Sequence, residues 1–298
     1  MQQGQKQHYR GFLVLFAFVL ATLTGCYKFE GNQTVPAYLS IDTILFNTYY
    51  PEQGSESHKI TDVWVYVNDN IVGAYELPAT FPVLASGLNE LELRPGIKLN
   101  GISSTRVPYP FYEPIVYDDF NFVVDTTLNV TNPSTGYYSN LVFAWMEDFE
   151  EAGITIEENP ASDTTIVRVI REDSPDPSTK YAGAIFLTED NPVYSAATYN
   201  AYPMLKQGSP VLMELDWKSD NYLHTGLLIR EPTGYVKVPL LTINRSAEWN
   251  KIYVNLGPNL SLHPQASEYR VYFEAGLDSD KAQSTIFLDN IKIIHRPI

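Results

Sequence analysis

The chain has 298 residues, with 35 acidic against 20 basic side chains and a formal net charge of −15. That balance excludes a nucleic-acid-binding surface and electrostatic docking on anionic lipid, both of which need clustered basic residues. The single cysteine excludes a disulfide framework, and 21 tyrosines with 20 prolines favour extended, turn-rich β-structure over helix bundles.

Lys6 and Arg10 give the chain a basic start, residues 11–24 are uncharged and mostly apolar, and Thr24-Gly25 leads into Cys26. This is the pattern of an export signal, too short for a comfortable membrane span. Leu23-Thr24-Gly25-Cys26 resembles the bacterial lipobox. The resemblance implies that residues 1–25 are removed and that Cys26 carries lipid; two or more acyl chains make such an anchor stable. The signal holds two basic and no acidic residues, so residues 26–298 carry 18 basic and 35 acidic side chains, a net of −17. Residues 26–34 are a short polar tether. Surface lipoproteins of Bacteroidetes-type bacteria carry an acidic run after the cysteine, and here Glu30 stands alone. An outer-membrane lipoprotein of the cell envelope is expected, with the periplasmic or surface face left open.

Residues 35–131 read as one small β-domain. Residues 37–42 alternate apolar and polar, residues 60–67 form a β-branched and aromatic run, and Asn68-Asp69-Asn70 turns the chain into a partner strand at residues 71–77. Residues 88–93 alternate again, Arg94-Pro95-Gly96-Ile97 reads as a turn, and residues 120–130 supply a last strand. The order over residues 60–96 resembles the PEGA-like, Ig-like small sandwiches of bacterial envelope proteins, which implies a spacer or interaction module. Tyr109-Pro110-Phe111-Tyr112-Glu113-Pro114 is either a partner-binding tip or a packing element between domains. Residues 132–137, rich in turn formers, are expected as a linker.

Residues 138–298 form the second domain. Helix is compatible with residues 141–150. Eight later segments are strand-like: residues 165–170, 182–187, 210–217, 225–229, 235–240, 251–256, 269–273 and 286–294. Short strands at this spacing fit a sandwich or jelly roll. The ordered segments around Asp148, Met213, Trp249 and Asp289 resemble the galactose-binding-like jelly roll that includes many carbohydrate-binding modules. The expected fold class is therefore all-β, two β-sandwich domains, the second a jelly roll.

No helical zinc spacing links His58, His224, His263 and His295, and no nucleophile elbow or phosphate loop occurs. Asp148 and Glu150 would share one face of an extended segment, which keeps a polysaccharide hydrolase as a minor alternative. The jelly-roll resemblance implies that Glu150 and Asp289 share a structural calcium ion; no other cofactor is expected. Glycan binding needs aromatic faces and planar polar groups. Strand alternation sends Met213, Leu215 and Trp217 inward and leaves Glu214, Asp216, Tyr253, Asn255, Arg270 and Tyr272 on outward faces. If their strands share a sheet, these six form a polar ligand face. The leading expectation is a non-catalytic envelope lipoprotein binding a glycan or a partner protein, and the alternative is an assembly subunit of an envelope machine.

Overall fold

The computed structural model describes residues 35–171, 173, 179–205 and 208–297. The export signal, Cys26 and the tether lie outside the described residues. The protein is 58% strand and 4% helix, an all-β sandwich fold. No helix among the described residues is long and apolar enough to cross a membrane.

The N-terminal domain holds β1 (Ala37–Ile41), β2 (Leu45–Asn47), β3 (Asp62–Val67), β4 (Asn70–Glu76), β5 (Ala79–Val83), β6 (Gly87–Lys98), β7 (Arg106–Pro108), β8 (Ile115–Phe122), β9 (Thr127–Asn129) and β10 (Ser134–Gly136). One sheet runs β4-β3-β6-β7 with β8 also on β6; a second runs β5-β1-β9, and β2 pairs with β10. Leu39, Ile41, Val63, Val65, Leu91 and Leu93 fill the core between them. The β3–β4 hairpin closes on Asn68 and Asp69, both at positive φ (48° and 62°). That geometry fits a two-residue primed turn, and Asn and Asp tolerate it without glycine.

Two local expectations change. Arg94-Pro95-Gly96-Ile97 is not a turn but the continuation of β6. Pro95 fits a strand interior because β8 pairs with β6 only as far as Leu93, and β7 joins only from Gly96. The proline falls where that side needs no backbone donor. Residues 134–136, expected within a linker, form β10 in parallel register with β2.

The C-terminal domain holds β11 (Val142–Glu147), β12 (Ile156–Glu158), β13 (Ile166–Ile170), β14 (Tyr181–Thr188), β15 (Val193–Thr198), β16 (Tyr202–Pro203), β17 (Val211–Ser219), β18 (Leu223–Glu231), β19 (Gly234–Ile243), β20 (Ser246–Asn255), β21 (Glu268–Gly276) and β22 (Gln283–His295). All eight expected strands are present. Residues 142–147, compatible with helix in sequence, form the strand β11, paired antiparallel with β22. The first sheet runs β13-β14-β22-β17-β20 with β11 beside β22, and the second runs β12-β15-β21-β18-β19 with β16 beside β21. Leu215, Trp217, Leu227, Val271, Phe273, Leu288 and Ile293 interdigitate between the sheets.

A third core joins the domains. Phe46, Ile97, Tyr109, Phe111, Tyr112 and Tyr137 pack on Leu212, Tyr253 and Ile294, which lie on the outer face of the first jelly-roll sheet. The aromatic and proline-rich loop is therefore an interdomain packing element. The N-terminal domain also caps the sheet's edge strand: Asn100 N–H donates to Tyr253 O at 2.8 Å, and Asn255 N–H donates to Asn100 Oδ1 at 2.8 Å. Edge groups that would otherwise stand open are thereby paired.

Candidate functional site

The outer face of the first jelly-roll sheet carries an unusual set of charges. Antiparallel register places Asp216 opposite both Lys251 on β20 and Asp289 on β22, and Glu214 opposite both Tyr253 and Lys292. Glu214, Asp216, Lys251, Asp289 and Lys292 are all buried. Buried charge is costly unless paired and hydrogen-bonded, and each of these groups has partners. Tyr109 and Tyr137 donate their hydroxyls to Glu214 Oε1 at 2.6 and 2.8 Å. Lys251 Nζ lies 3.1 Å from Glu214 Oε2 and 3.3 Å from Asp216 Oδ1. Asp216 Oδ2 accepts from Ser57 Oγ at 2.6 Å and from Asn290 Nδ2 at 2.9 Å. Arg171 pairs with Asp289. Lys292 Nζ donates to Ser55 O at 2.9 Å.

These environments displace the titrations. Burial alone would lower the Lys251 ammonium, but Asp216 and Glu214 outweigh it and hold the group above its ordinary value. Lys292 has no carboxylate bonded to its nitrogen, and burial brings it down to about 8. Burial, with Glu214 close by, pushes Tyr109 and Tyr137 well above the ordinary phenol range.

The N-terminal domain covers only part of this face. Beyond the edge of the cover lies an open pocket of about 470 Å³, lined by Ser57, His58 and Lys59 from that domain and by Arg171, Asp216, Lys251 and Trp249 from the jelly roll. Its floor is charged and its wall is aromatic. The Arg171 guanidinium sits 3.8 Å from the Trp249 ring centre, and Trp249 Nε1 donates to Asp173 Oδ1 at 2.7 Å. Trp249 and Arg171 also line a second hollow of about 250 Å³, together with Asp173, Ala182, Lys218 and Phe287. Register explains that hollow: Val169 lies opposite Ala182 and Lys218 opposite Phe287, so a small residue forms a floor between larger walls.

The six residues expected as one ligand face do not come together. Asp216 lines the interdomain pocket, while Glu214 and Tyr253 lie beneath the N-terminal domain, Tyr253 accepting the Lys59 N–H at 2.8 Å. Asn255 faces a different, proline-lined cavity of about 420 Å³ with Leu99, Pro108, Pro210 and Pro258. Arg270 and Tyr272 stand on β21, in the other sheet, where Arg270 reaches Glu157 at 3.0 Å and Lys237 lies 4.7 Å from the Tyr272 ring centre. In sequence Trp249 marked only a segment of the jelly-roll pattern and Arg171 was not noted; neither was expected at a ligand site. The available signal for Trp249 was its place in alternation with Lys251 and Tyr253 on one face of β20.

Glu150 and Asp289, the expected calcium pair, have protein partners. Glu150 Oε1 accepts the backbone N–H groups of Lys180 and Tyr181 at 2.5 and 2.9 Å, and Asp289 is held by Arg171 and the Asn290 N–H. Among the described residues no group of three or more His, Cys, Asp or Glu side chains is placed to hold a metal ion. Asp148, the other half of the hydrolase pair, accepts the Tyr50 hydroxyl at 2.8 Å.

No protein-family model matches the chain, and no curated protein matches it. Solved structures do resemble it. A carbohydrate-binding module of the β-sandwich superfamily, described for its promiscuous specificity, has 11% identity and a TM-score of 0.36 over 78% of this chain and 84% of its own. The family 11 carbohydrate-binding module from Clostridium thermocellum, solved with a β-1,3-1,4-mixed-linked tetrasaccharide, has 13% identity and a TM-score of 0.34 over 50% of this chain and 93% of its own. The enzymatically active domain of tailspike protein 4 from bacteriophage CBA120 has 9% identity and a TM-score of 0.36 over 52% of this chain, which spans about a fifth (19%) of that chain.

Proposed function

We propose that the protein is a non-catalytic binding lipoprotein of the cell envelope, held in the outer membrane through Cys26, that takes a glycan in the interdomain pocket. The observation that carries this reading is Trp249 standing beside Asp216, Lys251 and Arg171 at the floor of an open pocket. An aromatic wall with fixed planar and charged groups is the chemistry that sugar rings and hydroxyls require. The charges are pre-set by their own ion pairs, so a ligand meets oriented donors and acceptors rather than mobile side chains. Ser57 and His58 place the N-terminal domain in the binding wall as well as over the sheet.

Part of the outer face of the first jelly-roll sheet is covered by the N-terminal domain of the same chain, which leaves less of it to a partner protein in the assembly alternative.

Calorimetric titration of residues 26–298 against a panel of neutral and uronic-acid oligosaccharides tests the proposal. Binding to at least one member is expected, with about a fivefold or greater loss in Trp249→Ala, since stacked aromatic contacts are worth about 1 kcal/mol or more. No heat for any member, with the fold intact by circular dichroism, overturns it.

A further inference from the structure

The N-terminal domain carries a further, larger hollow, of about 890 Å³, at the Val67 and Asn89 end of its sheet, opposite the Ile97 end that packs on the jelly roll. Pro36, Ile71, Tyr75, Pro82, Leu84 and Ala85 are among its lining residues, and none of the lining residues is charged. In a chain with 35 acidic side chains, a region of this size without charge stands out. Its rim is exposed and mixed: Asn68, Asn70, Ser86 and Asn89 share it with Ile71, 56% accessible, and Leu84, 71% accessible, and Leu88, across the β5–β6 turn from Leu84, is 66% accessible. Large exposed apolar side chains ringed by neutral polar ones suit a surface that is itself apolar beneath a polar layer.

Chain connectivity identifies what docks there. Pro36 lines the hollow, and Cys26 precedes Val35 by nine residues. Nine residues reach at most about 30 Å when fully extended. A lipid on Cys26 therefore lies within about 30 Å of the hollow's rim, whereas the jelly roll lies at the other end of the N-terminal domain. We propose that this charge-free hollow rests on the lipid surface that anchors the chain, with Ile71 and Leu84 entering the interface and Tyr75 at headgroup level. Apolar side chains flanked by an amphipathic ring suit that boundary. The contact would orient the glycan pocket away from the membrane. The inference depends on the lipid-anchor reading above, and the test separates the two.

The full-length protein is isolated from the membranes in which it is made and placed in vesicles of phosphatidylcholine and phosphatidylethanolamine. The mass of the Cys26 peptide reports the anchor. Hydrogen exchange is then compared with the Cys26→Ser protein in the same buffer. Slowing of about threefold or more is expected at the amides of residues 84–88 and not in the jelly-roll strands, because contact closes local openings. Ile71→Ser with Leu84→Ser should keep the lipid and lose the slowing. A lipidated protein whose residues 84–88 exchange as in the free form overturns the docking and leaves the anchor standing. An unmodified Cys26 overturns both. Slowing that grows with the concentration of the Cys26→Ser protein, without vesicles, assigns the hollow to a second copy and overturns the membrane contact.

Discussion

Tyr109, in the N-terminal domain, donates its hydroxyl to Glu214, on the jelly-roll sheet, across 2.6 Å in a site closed to solvent. The same oxygen takes Tyr137, and the other carboxylate oxygen faces Lys251. A carboxylate so enclosed ties two domains into one unit. Glu214→Ala should cost about 3–5 kcal/mol, the price of leaving a buried lysine without this partner and two phenols without an acceptor. Tyr109→Phe should cost only about 1 kcal/mol, because Tyr137 still serves Glu214. Denaturant melts of the two variants check the ratio. Separate transitions for the two domains in the unaltered protein would show that this contact does not couple them.

The interface also sets a pH dependence. Lys292 titrates at about 8 when folded and at 10.5 ordinarily. Between those values the unfolded chain binds more protons, so stability rises with pH through that window. The full gain is about 3 kcal/mol. Tyr109, Tyr112 and Tyr137 act in the opposite sense, since burial raises all three. Above their ordinary value near 10 the unfolded chain releases protons that the folded chain keeps, and stability falls. Thermal stability should therefore climb from pH 7.5 and peak at about pH 9 to 10. Lys292→Met should flatten the climb without loss at neutral pH, because an apolar side chain of similar length removes the burial cost.

A chelator test addresses the calcium expectation. Asp289 is 0% accessible and its carboxylate is engaged by Arg171, whose side chain is 4% accessible. A guanidinium at this carboxylate satisfies the charge that an ion would otherwise neutralise. Melting temperature should be the same in calcium and in chelator. Arg171→Ala should lower the unfolding free energy by about 3–5 kcal/mol, and should also remove the cation from the Trp249 face. A calcium-dependent rise that Asp289→Asn abolishes would assign an ion to this site instead.

Which side of each strand faces inward was legible in the sequence. Met213, Leu215 and Trp217 are in the core, and Glu214 and Asp216 point the other way, as period-2 alternation requires. What covers the outward face was not legible. Tyr109 and Tyr137 reach Glu214 from 105 and 77 residues away in sequence, and alternation within β17 carries no information about them. Sheet membership was equally hidden. Arg270 and Tyr272 alternate much as Tyr253 and Asn255 do, yet β21 pairs with β15 and β18 while β20 pairs with β17. Pro95 shows the same limit at short range: it reads as a turn until the gap between β7 and β8 is known.

Ser57 offers the sharpest check that both domains build the binding pocket. Its hydroxyl donates to Asp216 Oδ2 at 2.6 Å, and the pocket opens beside that contact. Asp216 keeps Asn290 and Lys251 when Ser57 is lost, so Ser57→Ala should cost about 1 kcal/mol of stability or less. Its effect on a bound glycan should be larger than its effect on folding. The carboxylate would lose one of the three contacts that fix its direction, and a sugar hydroxyl would meet a less firmly oriented group. An affinity loss of about threefold to tenfold is expected, with the melting temperature moving by only a few degrees. The comparison variant is Tyr112→Phe, also in the N-terminal domain. The Tyr112 hydroxyl meets the Tyr253 hydroxyl at 3.2 Å beneath that domain, and Tyr112 is not among the pocket-lining residues. That variant should leave affinity unchanged. Equal losses in both variants would mean that the N-terminal domain supports the pocket only by covering the sheet.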